Sequence, residues 1–136
     1  MTCIVTGGTG MVGSAFKSLV PRAEFITTEQ FHNLSYDIKN KFVIHLAAKV
    51  GGVKANTDYI ADFYYENSII NQKIIDYAYK GKAKKVVSLL STCVYPDGPY
   101  IKYPLTEEQL HLGPPHDSNF GYAYAKRMVD VMSRAY

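Results

Sequence analysis

Three groups of residues have types and spacings that could do chemistry. Gly7, Gly10 and Gly13 stand three apart, directly after the short apolar run Cys3-Ile4-Val5. In that spacing the first glycine permits a tight turn and the second lets backbone approach a pyrophosphate. The third allows close packing of helix on strand, and the helix N-terminus (Met11, Val12) offers free N–H groups to phosphate. The alternative is a purely structural glycine turn, but a strand before and a helix after are the context dinucleotide binding requires. Tyr122 and Lys126 are spaced i,i+4 and share one face of a predicted helix. A lysine beside a phenol favours phenolate, so the phenol's pKa is expected to fall. Such a phenol suits a reduction in which hydride goes to carbon and a nearby acid protonates the oxygen. Ser91, at the end of a predicted strand, could hydrogen-bond the same oxygen. Tyr-x-x-x-Lys alone is also what an amphipathic helix yields by accident, and the chain has 12 tyrosines.

The elements that must position these residues follow from the hydrophobic pattern. Cys3-Ile4-Val5 reads as a buried strand, and Val12, Ala15, Phe16, Leu19 and Val20 as a helix stripe stopped by Pro21. Strands are expected over 24–27, 42–46 (with Leu46, Ala47 and Ala48 closing the third) and 86–91, the last covered on both faces. A long helix is expected from about Asn56 to Lys80, with Ile60, Phe63, Tyr64, Asn67, Ile70, Ile74 and Ala78 on one face and Gly81 as C-cap. After a Pro-rich loop, 95–115, Ser118 or Asn119 is expected to cap a last helix running to Tyr136. Strands alternating with helices give an α/β fold with a doubly wound parallel sheet of about four strands. In the usual order the fourth strand needs a fifth outside it. The sequence therefore reads as the N-terminal, truncated part, residues 1–136, of a longer enzyme, or as a short form needing a partner. The segment 33–41 leaves little room for the usual crossover helix.

Composition narrows the classes. The 136 residues carry 15 Lys+Arg against 12 Asp+Glu, a formal charge of +3, with 47% apolar residues. That is an ordinary globular balance, against disorder or a coiled coil. No apolar run approaches the roughly 20 residues of a membrane helix, and the start lacks a secretory pattern, so a cytoplasmic setting is the expectation and no membrane is expected. Two cysteines and four histidines without ligand spacing make no metal site. Lys80, Lys82, Lys84 and Lys85 read as a solvated helix end rather than a nucleic-acid patch.

About 20 residues beyond Gly7, an NAD site usually places an acid on the ribose. Here stand Thr27 and Thr28, with Glu29 just beyond. A neutral strand end would not repel a 2′-phosphate, which favours NADP. Asp37 could accept from the adenine amino group or cap a turn.

The glycine turn, Ser91, and Tyr122 with Lys126 together resemble the extended short-chain dehydrogenase/reductase superfamily, whose fold is Rossmann-like. Three longer stretches, 44–52 (IHLAAKVGG), 90–97 (LSTCVYPD) and 113–128 (GPPHDSNFGYAYAKRM), are similar to its GDP-L-fucose synthase family. The resemblance implies 3,5-epimerisation and NADPH-dependent 4-keto reduction of the nucleotide sugar GDP-4-keto-6-deoxymannose. Cys93 then matches the family's base, and strand alternation would set it on the same side as Ser91. Tyr122 supplies the proton, Lys126 tunes it and binds the nicotinamide ribose, and Ser91 polarises the ketone. The expected cofactor contacts are Gly7, Gly10, Met11, Val12, Gly13, Asp37, Leu46, Ala47, Ala48, Tyr122 and Lys126. Asn67 matches an asparagine of the long helix used for backbone support and proton relay, or is a solvated or locally bonded polar residue. The resemblance also implies a homodimer through the long helix and the tyrosine helix, and an acid histidine and GDP-binding domain beyond Tyr136. His116, in the loop before the tyrosine helix, is not given the acid role. The alternatives are another nucleotide-sugar epimerase or dehydratase, which Ser91-Thr92-Cys93 argues against, and a non-catalytic dinucleotide-binding module.

Overall fold

The structure, a computed structural model, describes residues 3–27, 30, 33 and 36–136. It divides into two compact units, one of Met1–Ala48, Gln72–Leu89 and Tyr136, the other of Lys49–Asn71 and Leu90–Ala135.

The first unit is built on a parallel four-stranded sheet. Its strands are β1 (Cys3–Thr6), β2 (Glu24–Ile26), β3 (Phe42–His45) and β4 (Lys85–Ser88), in the order β2-β1-β3-β4. Residues of β1 pair with both neighbours, Ile4 opposite Glu24 and Val43. It is buried along its whole length, which explains why its sequence is an unbroken apolar run. The register puts Ile4, Ile26 and Val43 on one face, where they meet Ile38, Ile74 and Tyr77. Val5 and Phe25 lie on the other, where Lys17 of helix α1 (Met11–Leu19) extends over the Phe25 ring, 5.2 Å from its centroid. Helices thus lie on both faces of the sheet.

Several expectations shift. The apolar stripe of α1 is not buried: Leu19 is 78% exposed and Gly13 is the helix's buried residue. The helix approaches the sheet by its glycine, so its large apolar side chains are left outside. The fourth strand is shorter than expected, and it lies at the sheet edge, with Val87 44% exposed. Gly81 does not take the left-handed C-cap conformation; Lys82 does, at φ 56°. Glycine is needed at 81 for space, because a Cβ there would lie 2.5 Å from Ile38.

The long helix expected from Asn56 is two helices, α2 (Val53–Asp58) and α3 (Ile60–Lys80), broken at Tyr59 with φ −126° and ψ 44°. Neither Gly nor Pro marks the break. Phe63, Asn67, Asn71, Ile74, Ile75 and Ala78 form the buried face of α3, while Tyr64, expected on that face, is half exposed. In the second unit the loop after β4 forms 3₁₀ turns over Thr92–Val94, Gly98–Tyr100, Glu107–Gln109 and Asp117–Asn119, and helix α4 follows over Phe120–Ala135. The last 3₁₀ turn, which leads into α4, is capped by His116 rather than by Ser118 or Asn119. Among the described residues, no helix is long and apolar enough to cross a membrane.

Candidate active site

The glycine turn of the first unit is built by close approaches. Gly7 has φ 75°, a conformation that favours glycine, and a Cβ there would lie 2.7 Å from the Ala47 nitrogen. A Cβ on Gly13 would lie 2.2 Å from the Gly7 carbonyl oxygen. Gly10 differs: its Cβ would meet only the Gly7 oxygen, at 3.5 Å. Gly10 is therefore not required by packing within the chain, and its lack of a side chain leaves room on the outside of the turn. It begins α1 without a side-chain cap, so the first-turn N–H groups beside Met11 and Val12 have no capping oxygen. Met11 is 87% exposed there. This cradle fits a pyrophosphate.

Leu46, Ala47 and Ala48 continue from the C-terminal end of β3, and Leu46 and Ala47 lie against Gly7. Thr6, which sequence reasoning passed over, fixes this approach. Its buried Oγ1 accepts from the Ala47 N–H at 3.2 Å and lies 2.9 Å from Nδ1 of buried His45. Asp37 accepts from the Lys39 N–H at 3.0 Å, the turn-capping alternative. Thr28 and Glu29, read as the selectivity position, lie outside the described residues.

Ser91, Cys93, Tyr122 and Lys126 all lie in the second unit. Ser91 and Cys93 are not on a strand, as expected, but on a turn. β4 has ended at Ser88, and Ser91 caps the 3₁₀ turn Thr92–Val94, accepting from the Cys93 N–H at 3.3 Å. The cap, rather than strand alternation, holds the two together. Tyr122 and Lys126 lie on α4, with Lys126 buried and its Nζ 6.0 Å from the Tyr122 ring centroid.

The electrostatics reverse one expectation. Burial raises the Tyr122 pKa, repulsion between phenolate and negative charge on the Cys93 sulfur adds to it, and a hydrogen bond with Ser91 only partly offsets this. Lys126 does not pull the phenol down; burial lowers its own pKa. The phenol is thus held as a loaded acid, and Ser91, Cys93 and Tyr122 interact as one group.

Arg127 and Asn71, which gave no sequence signal, hold this group in place. Buried Arg127 donates from Nε to the Val94 carbonyl at 2.6 Å and from Nη1 to Gly113 at 2.8 Å, fixing the turn that carries Cys93. Asn71 donates to the Ala125 carbonyl at 3.0 Å, one residue before Lys126. Asn67 is fully buried and bonds to the backbone on both sides of Lys49: Oδ1 accepts from the Lys49 N–H at 2.9 Å, and Nδ2 donates to the Lys49 carbonyl at 2.9 Å and to the Phe63 carbonyl at 2.7 Å.

Residues 22–136 match the model of the NAD dependent epimerase/dehydratase family. A GDP-L-fucose synthase of Dictyostelium discoideum is 40% identical over 150 residues, covering 99% of this chain and 46% of that protein. A probable GDP-L-fucose synthase of Drosophila melanogaster is 40% identical over 148 residues, covering 98% and 46%. A GDP-L-fucose synthetase of Naegleria fowleri, solved bound to NADP, superposes with a TM-score of 0.81 at 39% identity, over 99% of this chain and 44% of that one. The chain thus spans under half the length of the relatives it matches. The parallel sheet with the glycine turn against β3 agrees with these likenesses, and the chain belongs to the NAD dependent epimerase/dehydratase family.

Proposed function

We propose that this chain is the cofactor-binding portion of an NADPH-dependent enzyme converting GDP-4-keto-6-deoxymannose to GDP-L-fucose by 3,5-epimerisation and 4-keto reduction. The observation that carries this reading is the group formed by Ser91, Cys93 and Tyr122. A base, a hydroxyl donor and a loaded phenol are this chain's share of the parts the two reactions need. The reading draws further support from the similarity to GDP-L-fucose synthases along nearly the whole chain.

The glycine turn would hold the pyrophosphate of the cofactor, with the first-turn N–H groups of α1 as donors. The bound NADPH supplies hydride to a carbonyl carbon. The preference for NADP over NAD is supported by the neutral Thr27 at the end of β2 and by the NADP-bound relative. Tyr122 donates its hydroxyl proton to the oxygen that was the ketone, and Ser91 hydrogen-bonds that oxygen. Lys126, buried beneath the ring, holds the helix face in register and contacts the nicotinamide ribose. For epimerisation, Cys93 removes a proton from a carbon flanking the ketone, leaving an enolate delocalised onto oxygen, and a proton is returned to the opposite face of that carbon by the acid histidine that the family resemblance implies.

The partner proposed for the chain is a second copy, paired through α3 and α4. In support, an apolar groove of ≈ 510 Å³ runs along these helices in the second unit, lined by Tyr64, Phe120, Tyr124, Met128 and Val131. Val131 is 54% exposed and Tyr64 50%, a patch of the kind that marks an association surface. A reducing, cytoplasmic setting accords with two free cysteines.

The test is incubation of the whole enzyme with GDP-4-keto-6-deoxymannose and NADPH in D₂O. Deuterium entering C3 and C5, with NADPH oxidation, is expected. Cys93→Ala should abolish the exchange, and Tyr122→Phe should abolish NADPH oxidation while the exchange continues. Exchange surviving Cys93→Ala would refute the reading.

A further inference from the structure

Gly8 stands inside the glycine turn but outside the spacing that holds phosphate, and the structure gives it a different task. A Cβ on Gly8 would lie 2.7 Å from Cδ1 of Phe25 and 3.3 Å from Cε of Lys17. The missing side chain leaves room for an aromatic ring and a lysine stem directly beside the turn. All three residues belong to the first unit.

Lys17 is exposed and stands in the last turn of α1. A lysine there ordinarily faces the negative end of the helix dipole. This one does not stay at that end. Helix side chains lean toward the N-terminus, and the Lys17 stem runs back over Phe25, with Nζ 5.2 Å from the ring centroid, to reach Gly8. Gly8 lies at the level of the first turn, its Cα 2.6 Å from where a Cβ on Gly13 would be. The ammonium is thus carried toward the positive end of the helix, where an anion is favoured and a lone cation is not. Among the described residues no carboxylate lies within ion-pair distance of it. The acid of β2, Glu24, opens that strand at its other end and is held by Lys41 at 3.1 Å. The ring contact orients the apolar stem, and the three N–H groups of Nζ stay available to a ligand.

The place it reaches has a defined meaning in a dinucleotide site. β2 ends at Ile26, opposite Thr6, the residue before Gly7. Lys17 therefore overlooks the notch between the glycine turn and the C-terminal end of the second strand. With pyrophosphate on the turn, the adenosine ribose takes the end of that strand, where a 2′-hydroxyl is met by a carboxylate and a 2′-phosphate by a cation. We propose that Lys17 is the counter-ion of the 2′-phosphate and so the residue through which this chain selects NADPH over NADH. The assignment rests on the reading of the glycine turn as the cofactor's pyrophosphate site. It supplies the cation that a neutral Thr27 at the strand end leaves unaccounted for.

Calorimetric titration of the whole enzyme with NADPH, NADH, 2′,5′-ADP and 5′-ADP isolates the phosphate from the rest of the cofactor. Lys17→Met keeps an unbranched apolar stem on Phe25 and removes the charge. It is expected to weaken NADPH and 2′,5′-ADP at least about tenfold, equivalent to ~1.4 kcal/mol, and to leave NADH and 5′-ADP within about twofold. The thermal unfolding midpoint should not move. Lys17→Arg should retain the preference, and Lys17→Glu should invert it, binding NADH more tightly than NADPH. The NADPH affinity of the parent should also fall more steeply with added salt than that of Lys17→Met, since one charge pair fewer is screened in the variant. Lys17→Met binding NADPH like the parent would overturn the assignment. So would equal losses for NADPH and NADH, which would make Lys17 a support of the turn and not a reader of the phosphate. The functional reading fails separately. If Lys17→Met loses NADPH selectively but Cys93→Ala leaves C3 and C5 exchange intact, that reading falls and the phosphate assignment stands.

Discussion

At the scale of single residues, the site is governed by burial more than by charge pairing. The i,i+4 spacing to Lys126 led to the reading of Tyr122 as a proton donor, but it did not give the direction of the Tyr122 pKa. The spacing says that the two side chains share a face; it does not say that both are taken out of water. Desolvation disfavours the charged form of each, so the phenol moves up and the ammonium down. A raised phenol pKa means that the neutral acid is the form present through the neutral range. Ketone reduction is therefore expected to be flat between pH 6 and 8, and to fall only above the ordinary phenol range near 10. A pH–rate profile checks this, and a Tyr122-dependent fall near neutrality would contradict it. Tyr122→Phe should reduce the rate about 10²–10⁴-fold, the usual contribution of a positioned acid, with NADPH affinity within a few-fold. Cys93 could not be separated from an inert thiol by sequence chemistry alone. Its partnership with Ser91 comes from a capped 3₁₀ turn, which the apolar run 86–91 disguised as continuing strand.

At the scale of elements, the three glycines of the turn do different jobs, and the differences are testable. Gly13→Ala forces a Cβ to 2.2 Å from the Gly7 oxygen and 2.6 Å from the Gly8 Cα. Backbone atoms cannot give way cheaply, so a loss of about 2–3 kcal/mol in unfolding free energy is expected. Gly10→Ala meets nothing closer than 3.5 Å, so stability should stay within about 0.5 kcal/mol. Its NADPH affinity should nonetheless fall at least about tenfold, ~1.4 kcal/mol, because the new methyl stands where phosphate approaches. Equal NADPH affinity in Gly10→Ala and the parent, by calorimetry, would remove the phosphate from this turn. Asn67→Ala strips three hydrogen bonds, two of them from the backbone N–H and C=O of Lys49, at a buried position. A cost of about 2–4 kcal/mol, read from denaturant unfolding, is expected. The strand–glycine–helix order was legible because strand, turn and helix each carry a local signal. The break at Tyr59 was not, because the apolar period runs on through it and no helix breaker marks it.

At the scale of the whole molecule, association is the property to test. Val131 and Tyr124 lie in the apolar groove and are partly exposed. Val131→Asp should leave the unfolding of the monomer within about 0.5 kcal/mol. A paired chain would lose about 2 kcal/mol or more of association free energy, seen as dissociation by analytical ultracentrifugation. A parent chain that sediments as a monomer at high concentration would count against the pairing. The four lysines near the end of α3 show how little charge alone determines. Lys80 pairs with Asp76 at 2.8 Å and Lys84 lies over the Phe42 ring at 5.3 Å, both ordinary uses at a helix end. The sequence by itself determined the α/β class, the parallel sheet, the glycine cradle and the residue types for proton transfer, since each is written in contiguous patterns of period, glycine spacing and i,i+4 placement. Only the tertiary structure decided that the Asn71 carboxamide bonds to the backbone beside Lys126, that Arg127 holds the turn of Cys93, and that His116 shares a cavity with Asp97 and Cys93. Those pairings join residues 14 to 54 positions apart for Arg127 and Asn71, and no local pattern encodes a contact whose geometry exists only after the chain has closed on itself.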